Sequence, residues 1–173
     1  MKALAFWKAV TVDREDFLER FLEVLQTGGV RYCVIGGQGV NAYAEPVVSL
    51  DLDVVVAADQ IDAVEASLAQ RFVVRRFSHS LNVSAPGSDL RVQIQTDPRY
   101  LAFLPQATPR EVLGLTVPVA RLEDVLLGKI WAALDPARRA SKRQKDLADI
   151  ARLLEVAPDL KAQVPAEILA RLV

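Results

Sequence analysis

The chain has 173 residues, of which 51% are hydrophobic and 25% are charged, and its formal net charge is −1. This length and composition provide a core for one domain, or for one domain with a helical appendage. The near-neutral charge excludes a global field for nucleic acid, so a polynucleotide would have to contact a local patch. The single cysteine, Cys33, excludes an internal disulfide and fits a reducing compartment.

No targeting or membrane segment is predicted. The first ten residues are mildly apolar, but Lys8 interrupts them and an acidic run at 13–16 follows without a small-residue cleavage site. No apolar segment approaches the length of a membrane span. We therefore expect a cytoplasmic protein that does not enter a membrane.

The first part of the chain mixes helical and strand patterns. Apolar residues at helical spacing predict a helix at 17–25, which Gly28 and Gly29 end. A short apolar strand at 32–35 precedes a short helix at 38–44, which Pro46 ends. The elements predicted next, in order, are a strand at 50–57, a helix at 59–70 and strands at 72–77, 81–85 and 90–96.

The last third of the chain is mainly helical. A less regular stretch and a short strand at 115–119 are followed by predicted helices at 122–134, 138–154 and 166–173. Because the strands at 81–85 and 90–96 form a hairpin-like pair, the order favours an α+β fold over a doubly wound one. We expect an α/β core over 1–120, with a helical C-terminal segment over 121–173 packed on it.

Two short motifs point to chemistry. Gly36 and Gly37 end the first strand, and Asp51 and Asp53 lie two apart on the next one, so the two carboxylates share a face. Such a pair repels unless a cation lies between, and Mg²⁺ takes one or two carboxylates plus phosphate oxygens. A glycine turn that leads into a helix can present backbone N–H groups to phosphates. The alternatives are an exposed strand face and a simple tight turn.

The order of these motifs resembles the DNA polymerase β-type nucleotidyltransferase superfamily. The resemblance consists of Gly36-Gly37, thirteen intervening residues, and Asp51-Leu52-Asp53 between apolar neighbours. The segments 126–132 (LLGKIWA) and 145–150 (KDLADI) resemble its AbiEii-like, minimal nucleotidyltransferase branch, which includes toxins of type IV toxin–antitoxin systems. The resemblance covers residues 30–154 and implies a nucleotidyltransferase-type mixed sheet flanked by helices.

The resemblance also implies an activity and a site. A nucleotidyl group would pass from an NTP to an RNA, protein or small hydroxylated acceptor, with Mg²⁺ or Mn²⁺ as cofactor and an antitoxin as a further partner. Asp51 and Asp53 would hold the metal, Lys129 would reach the phosphates, and Asp146 would position an acceptor, or another polar group, over the site. The residues implied for the nucleotide are Gly36, Gly37, Gln38, Ser49 and Lys129.

The chain departs from the superfamily pattern in two places. The third carboxylate is replaced by Gln93 or Gln95, which share a strand face with Arg91, and a neutral amide supplies no charge to a metal. An Arg-x-Thr sequence that often precedes the first aspartate is here Val47-Val48-Ser49, which keeps only the hydroxyl. These departures leave open a degenerate fold that binds a nucleotide or a partner without chemistry.

Plainer structural roles compete with the roles in a site. Lys129 could extend from an apolar helix to solvent, Asp146 could pair with Lys142 or Lys145, and Asp149 with Lys145 or Arg152. The basic run at 138–145 is more typical of a solvated helix face than of an RNA or nucleotide contact. The side chains expected to serve only surface or packing roles are His79, Trp7, Trp131 and Cys33.

Overall fold

A computed structural model describes residues 3–11 and 16–172 of the chain. The strands of this part are β1 (Tyr32–Ile35), β2 (Asp51–Val56), β3 (Val73–Arg76), β4 (Ser80–Ser84), β5 (Arg91–Gln95), β6 (Thr108–Val112) and β7 (Leu115–Val119). The α-helices are α1 (Ala3–Thr11), α2 (Phe17–Thr27), α3 (Gly36–Asn41), α4 (Ile61–Ala69), α5 (Leu122–Leu134), α6 (Ala140–Val156) and α7 (Ala166–Leu169). Three 3₁₀ segments span Ala58–Gln60, Pro98–Gln106 and Pro158–Gln163.

All seven strands form one mixed sheet in the order β3-β4-β5-β2-β1-β7-β6. The strands β1 and β2 are antiparallel, whereas β2 runs parallel to β5 and β1 runs parallel to β7. The β4–β5 pair is an antiparallel hairpin, as its sequence predicted. The α+β class with a mixed sheet is therefore confirmed.

Several predicted elements occur at other bounds or were missed. The helix predicted at 38–44 begins at Gly36 and ends at Asn41, and the tail helix ends at Leu169 instead of 173. Strand β6 was not predicted, because only Val112 is buried in it and Pro109 is typical of an edge strand. It forms a hairpin with β7 through Leu113 and Gly114, both at positive φ.

The core lies on both faces of the sheet. One face carries Leu52, Val54 and Val56 of β2 and is covered by α2 and α4. The opposite face carries Cys33, Ile35 and Val55 and packs against α5 and α6. Because side chains alternate along β2, Asp51 and Asp53 lie on this second face, beside the C-terminal helices.

Two further sequence expectations concern the exterior of the fold. In the part of the chain that the structure describes, no helix is both long and apolar enough to span a bilayer. His79 is exposed, as expected. The Trp7 side chain and the acidic residues 13–15 lie outside the described part of the structure. Trp131 packs as expected, stacked on Phe103 at a centroid distance of 5.6 Å.

We expect the Cys33 thiol to be unreactive in the folded protein. Its side chain is fully buried in β1, and burial, with a smaller contribution from the Asp124 carboxylate, raises the pKa of the thiol to about 12. Ellman's reagent at pH 8 should therefore detect no thiol until denaturant is added, and then one per chain. Rapid reaction of the native protein would show that β1 opens readily.

Candidate active site

The registers of three strands place the site. Asp53 lies opposite Ile35, the last residue of β1, and on its other side opposite Gln93 of β5. Asp51 lies opposite Arg91 in the same β2–β5 pairing. Of the two glutamines that could replace a third acid, Gln93 is therefore the one directly beside Asp53.

Gly36 brings the backbone against the Asp53 carboxylate. It has a φ of +66°, and a Cβ at this position would lie 2.2 Å from Asp53 Oδ2. Both the left-handed conformation and the close approach require glycine. At Gly37, by contrast, the nearest atom to such a Cβ is Ser49 Oγ at 3.8 Å, so Gly37 is not sterically required.

Gln38 and Ser49 fix the segment that enters β2. The buried Gln38 donates from Nε2 to the Ser49 carbonyl at 3.3 Å. The Ser49 hydroxyl accepts from the Asp51 backbone N–H at 3.3 Å and from Lys145 Nζ at 3.3 Å. Gln38 thus braces the segment from beneath, and Ser49 lies between the first aspartate and a lysine of α6.

The Asp51 carboxylate is paired with two cations. Arg91 Nε lies 2.9 Å from its Oδ1, and Lys142 Nζ lies 3.4 Å from its Oδ2. The Arg91 and Lys142 side chains are 64% and 40% exposed. Solvent therefore screens both pairs, and they can open to admit another cation.

The half-buried Asp53 carboxylate has no such partner. Among residues 3–11 and 16–172, none donates a hydrogen bond to it or forms an ion pair with it. Burial raises the pKa of Asp53 above its usual range, and Asp51 adds to this, whereas Lys129, Arg138 and Lys145 oppose it. The ionised form of Asp53 is thus short of positive charge.

Lys129 lies in a buried ion network between α5 and α6. Its Nζ is 3.1 Å from Asp146 Oδ1 and 2.8 Å from Asp149 Oδ2, and its side chain is 8% exposed. Burial alone would lower the pKa of Lys129, but the Asp149 and Asp146 carboxylates outweigh it and raise that pKa, so the ammonium stays charged. Arg138 donates to both oxygens of Asp146, at 2.8 and 3.1 Å.

These contacts decide between the pairings considered from the sequence. Asp146 binds Lys129 and Arg138, not Lys142 or Lys145, and Asp149 binds Lys129 and Arg152. The basic run at 138–145 is not simply a solvated face. Arg138, Lys142 and Lys145 contact Asp146, Asp51 and Ser49, and Arg143 caps the carbonyl end of α5.

A polar cavity opens beside Asp53. It is lined by side chains of β2, β5, the 3₁₀ segment Pro98–Gln106, α5 and α6, which include Asp53, Gln93, Gln95, Tyr100, Lys129 and Asp146. The structure thus brings Gly36, Asp53, Lys129 and Asp146 to one cavity, with Asp51, Gly37 and Ser49 at its neighbouring edge. Arg91, Arg138 and Tyr100 were missed as site residues, because their positions depend on strand register and on the path of an irregular segment.

The Asp51 and Asp53 carboxylates fit a divalent cation whose remaining ligands are oxygen atoms from outside the protein. Within the described ranges, no group of three or more His, Cys, Asp and Glu side chains could hold a metal ion. Asp51 and Asp53 share a strand face, and the neutral Gln93 lies beside them. Mg²⁺ is commonly bound in this way, by one or two carboxylates together with substrate phosphates.

Residues 41–173 match a protein-family model described as the nucleotidyl transferase AbiEii toxin of type IV toxin–antitoxin systems. The matched range contains Asp51, Asp53, Lys129 and Asp146 and begins just after the diglycine. The resemblance inferred from the sequence motifs is confirmed. No curated protein sequence matches the chain.

Solved nucleotidyltransferase structures have the same fold. The alignment with the antibiotic-resistance factor ANT(2'')-Ia in complex with adenylyl-2''-tobramycin covers 91% of this chain and 98% of that protein's chain, at 12% identity and a TM-score of 0.63. The lincomycin-bound lincosamide adenylyltransferase LnuA covers 85% and 99%, at 15% identity and a TM-score of 0.57. A putative nucleotidyltransferase from Thermotoga maritima covers 78% and 92%, at 18% identity and a TM-score of 0.54. Identities this low show the fold alone.

We expect Gly36→Ala to damage the site and Gly37→Ala to spare it. At Gly36 an alanine must adopt the left-handed conformation and displace the Asp53 carboxylate, at a cost of about 1–2 kcal/mol for the backbone alone. At Gly37 the Cβ would make only ordinary van der Waals contacts, with Ser49 Oγ at 3.8 Å and Lys145 Nζ at 4.0 Å, so stability should be unchanged or slightly increased. Urea unfolding of the two variants measures the difference, and equal stability would contradict the close approach.

We expect Asp53→Asn to raise the melting temperature by a few degrees at pH 7. The raised pKa of Asp53 means that folding disfavours its ionised form, a penalty fully present above the folded-state pKa. As pH falls through that pKa toward the unfolded value near 3.8, wild-type Asp53 becomes protonated and the advantage of the variant should vanish. Melting curves from pH 4 to 8 test this, with Asp159→Asn as the exposed control.

Proposed function

The chain belongs to the AbiEii nucleotidyltransferase family, and on that premise we propose that it transfers a nucleotidyl group from an NTP to a hydroxylated acceptor. An acceptor oxygen attacks the α-phosphorus, the bond to the bridging oxygen breaks, and pyrophosphate leaves. The observation that carries this proposal is the unpaired Asp53 carboxylate beside the paired Asp51, on a strand face that opens into a polar cavity.

We propose that Asp51 and Asp53 hold Mg²⁺ or Mn²⁺ together with phosphates of the NTP. When bound, the metal would supply positive charge against the charge that develops on the phosphates. The donor set supports this role, because two carboxylates suffice for a cation that shares phosphate ligands. Gly36 lets the backbone of this turn border Asp53, and Gly37, where the nearest atom to a Cβ would be Ser49 Oγ at 3.8 Å, leaves room for the triphosphate beside it.

Asp146 serves this reaction through its cationic partners. Its Oδ1 accepts from Lys129 and Arg138, and its Oδ2 accepts from Arg138. Asp146 thus holds both cations at the cavity wall and is a positioning residue. The two cations supply fixed positive charge beside Asp53, where negative charge accumulates during transfer. Of the two roles that the resemblance implied for Asp146, this is the positioning of another polar group and not of the acceptor.

The family description and one structural neighbour bear on the acceptor and on the biological role. The family description supports a toxin whose partner is an antitoxin, and that role would favour an RNA or protein acceptor. The structural neighbour bound to adenylyl-2''-tobramycin supports a small hydroxylated acceptor as the alternative. The polar lining of the cavity beside Asp53 is compatible with a hydroxyl group of any of these.

A second candidate function is a nucleotide-binding module without chemistry. Two observations favour it. The neutral Gln93 lies beside Asp53, where a third carboxylate would add negative charge to bind a metal, and Asp51 is already paired with Arg91 and Lys142. Such a protein would bind an NTP and transfer nothing in any divalent metal. An assay for nucleotidyl transfer therefore distinguishes the two candidate functions.

We expect label to move from one of the four α-labelled NTPs to cellular RNA, protein or a small-molecule extract, in Mg²⁺ or Mn²⁺. Asp51→Asn and Asp53→Asn should each lower transfer at least about 100-fold because the metal loses a charged ligand, whereas Asp159→Asn should leave it unchanged. Chelation of divalent metal should abolish it. Transfer that survives in both aspartate variants would rule out the proposed site.

We expect Gln93→Glu to increase affinity for Mn²⁺ about 10-fold and to raise transfer, because it places a third carboxylate directly beside Asp53. Gln95→Glu is the matched control. It lies on the same face but opposite Val55, and its side chain is tied to the Asp97 backbone N–H at 3.1 Å. Calorimetric titration with Mn²⁺ compares the two, and an equal response would show that register does not matter.

A further inference from the structure

We infer that Lys145, with Lys142 beside it on α6, binds the triphosphate, and that Lys129 does not. The inference rests on the proposed function, since it assigns the phosphate contacts of the same site. The observation behind it is a half-buried ammonium group at Lys145 that faces Gly37 and Ser49 and has no carboxylate partner among the described residues.

Lys129 is enclosed by acidic partners. Its ammonium lies between Asp146 and Asp149, at 3.1 and 2.8 Å, in a side chain that is 8% exposed. To reach a phosphate it would have to break both ion pairs, which would leave Asp146 to Arg138 alone and Asp149 to Arg152 alone, and this is costly in a poorly solvated site. Its charge therefore acts on the cavity from a fixed position.

Lys145 has the opposite environment. Its Nζ lies 3.3 Å from Ser49 Oγ and 4.0 Å from the position that a Cβ would take at Gly37. Across the described part of the chain, no carboxylate lies within ion-pair distance of it. An ammonium group of this kind can donate a hydrogen bond to a phosphate oxygen without losing an existing salt bridge, and lysine commonly binds phosphate as a point charge.

Lys142 extends the same cationic edge. It lies three residues before Lys145 on α6, so both side chains leave the same face of the helix. Lys142 contacts Asp51 Oδ2 at 3.4 Å and is 40% exposed, which makes it the looser of the two. Together the lysines place two positive charges along the path from Gly37 to Asp51.

The competing explanation is that Lys145 only braces Ser49 and the start of β2. A bracing role would alter the affinity for every ligand of the site by a similar factor. A phosphate contact would alter the affinity for triphosphates far more than the affinity for a nucleoside monophosphate. Comparing the two ligands therefore separates the explanations without reference to catalysis.

The test is calorimetric titration of wild type and variants with inorganic tripolyphosphate, the four NTPs and their monophosphates, all in Mg²⁺. Lys145→Ala should weaken tripolyphosphate and NTP binding about 10- to 100-fold, the range for a lost hydrogen bond to a charged group. Lys142→Ala should weaken it less, about 3- to 10-fold, and Lys145→Arg should restore most of the loss. Monophosphate affinity should change less than about 2-fold, and Lys161→Ala, an exposed lysine on the segment Pro158–Gln163, should match wild type.

The outcomes separate this inference from the proposed function. Wild-type affinity for tripolyphosphate in Lys145→Ala, or equal losses for NTP and monophosphate, would overturn the inference and leave the proposed function in place. A selective loss of triphosphate affinity in a protein that transfers nothing would uphold the inference and overturn the proposed chemistry. A wild-type protein that binds no triphosphate at all would overturn both. Melting curves of each variant confirm that the comparison is made on folded protein.

Discussion

The repulsion between two carboxylates on one face of β2 is the constraint on which the site is built. Asp51 and Asp53 are two residues apart on β2, and each side chain is partly buried. The fold supplies the compensating charge unevenly. Asp51 receives direct partners from β5 and α6, whereas Asp53 receives only the longer-range field of Lys129, Arg138 and Lys145. The uneven compensation leaves Asp53 as the place where an added cation gains most.

The mixed topology makes this arrangement possible. The antiparallel β1–β2 pair brings the glycine turn beside Asp53, and the parallel β2–β5 pair brings Gln93 to its other side. The same sheet face is covered by α5 and α6, so Lys142 and Lys145 of α6 meet Asp51 and Ser49, which lie 91 and 96 positions earlier in the chain. The charged contacts from α6 to Asp51 and Ser49 depend on that packing.

The local features of this site could be predicted from the sequence, but the pairing of strands and of charged side chains could not. The alternation of apolar residues correctly predicted that Asp51 and Asp53 share a face, and helical spacing gave the bounds of α5 at 122–134. It could not choose between Gln93 and Gln95, because the choice depends on strand register, a property of two segments some forty residues apart. It likewise could not show which carboxylates Lys129 would meet. Helical spacing offers pairs within α6, and one of them, Asp149–Arg152, does form, but Lys129 meets Asp146 and Asp149 across the α5–α6 contact.

The buried network around Lys129 supports an electrostatic role beyond stability. Buried ion pairs contribute little net stability, since desolvation offsets most of their attraction, and apolar residues of similar volume commonly serve as well. Here Lys129, Arg138 and Arg152 surround two carboxylates, Asp146 and Asp149. Of these five groups, Lys129, Arg138 and Asp146 line the cavity, together with the Asp53 and Asp124 carboxylates. The network thus fixes two cations at the cavity wall, where they can offset the negative charge of a transferred nucleotidyl group.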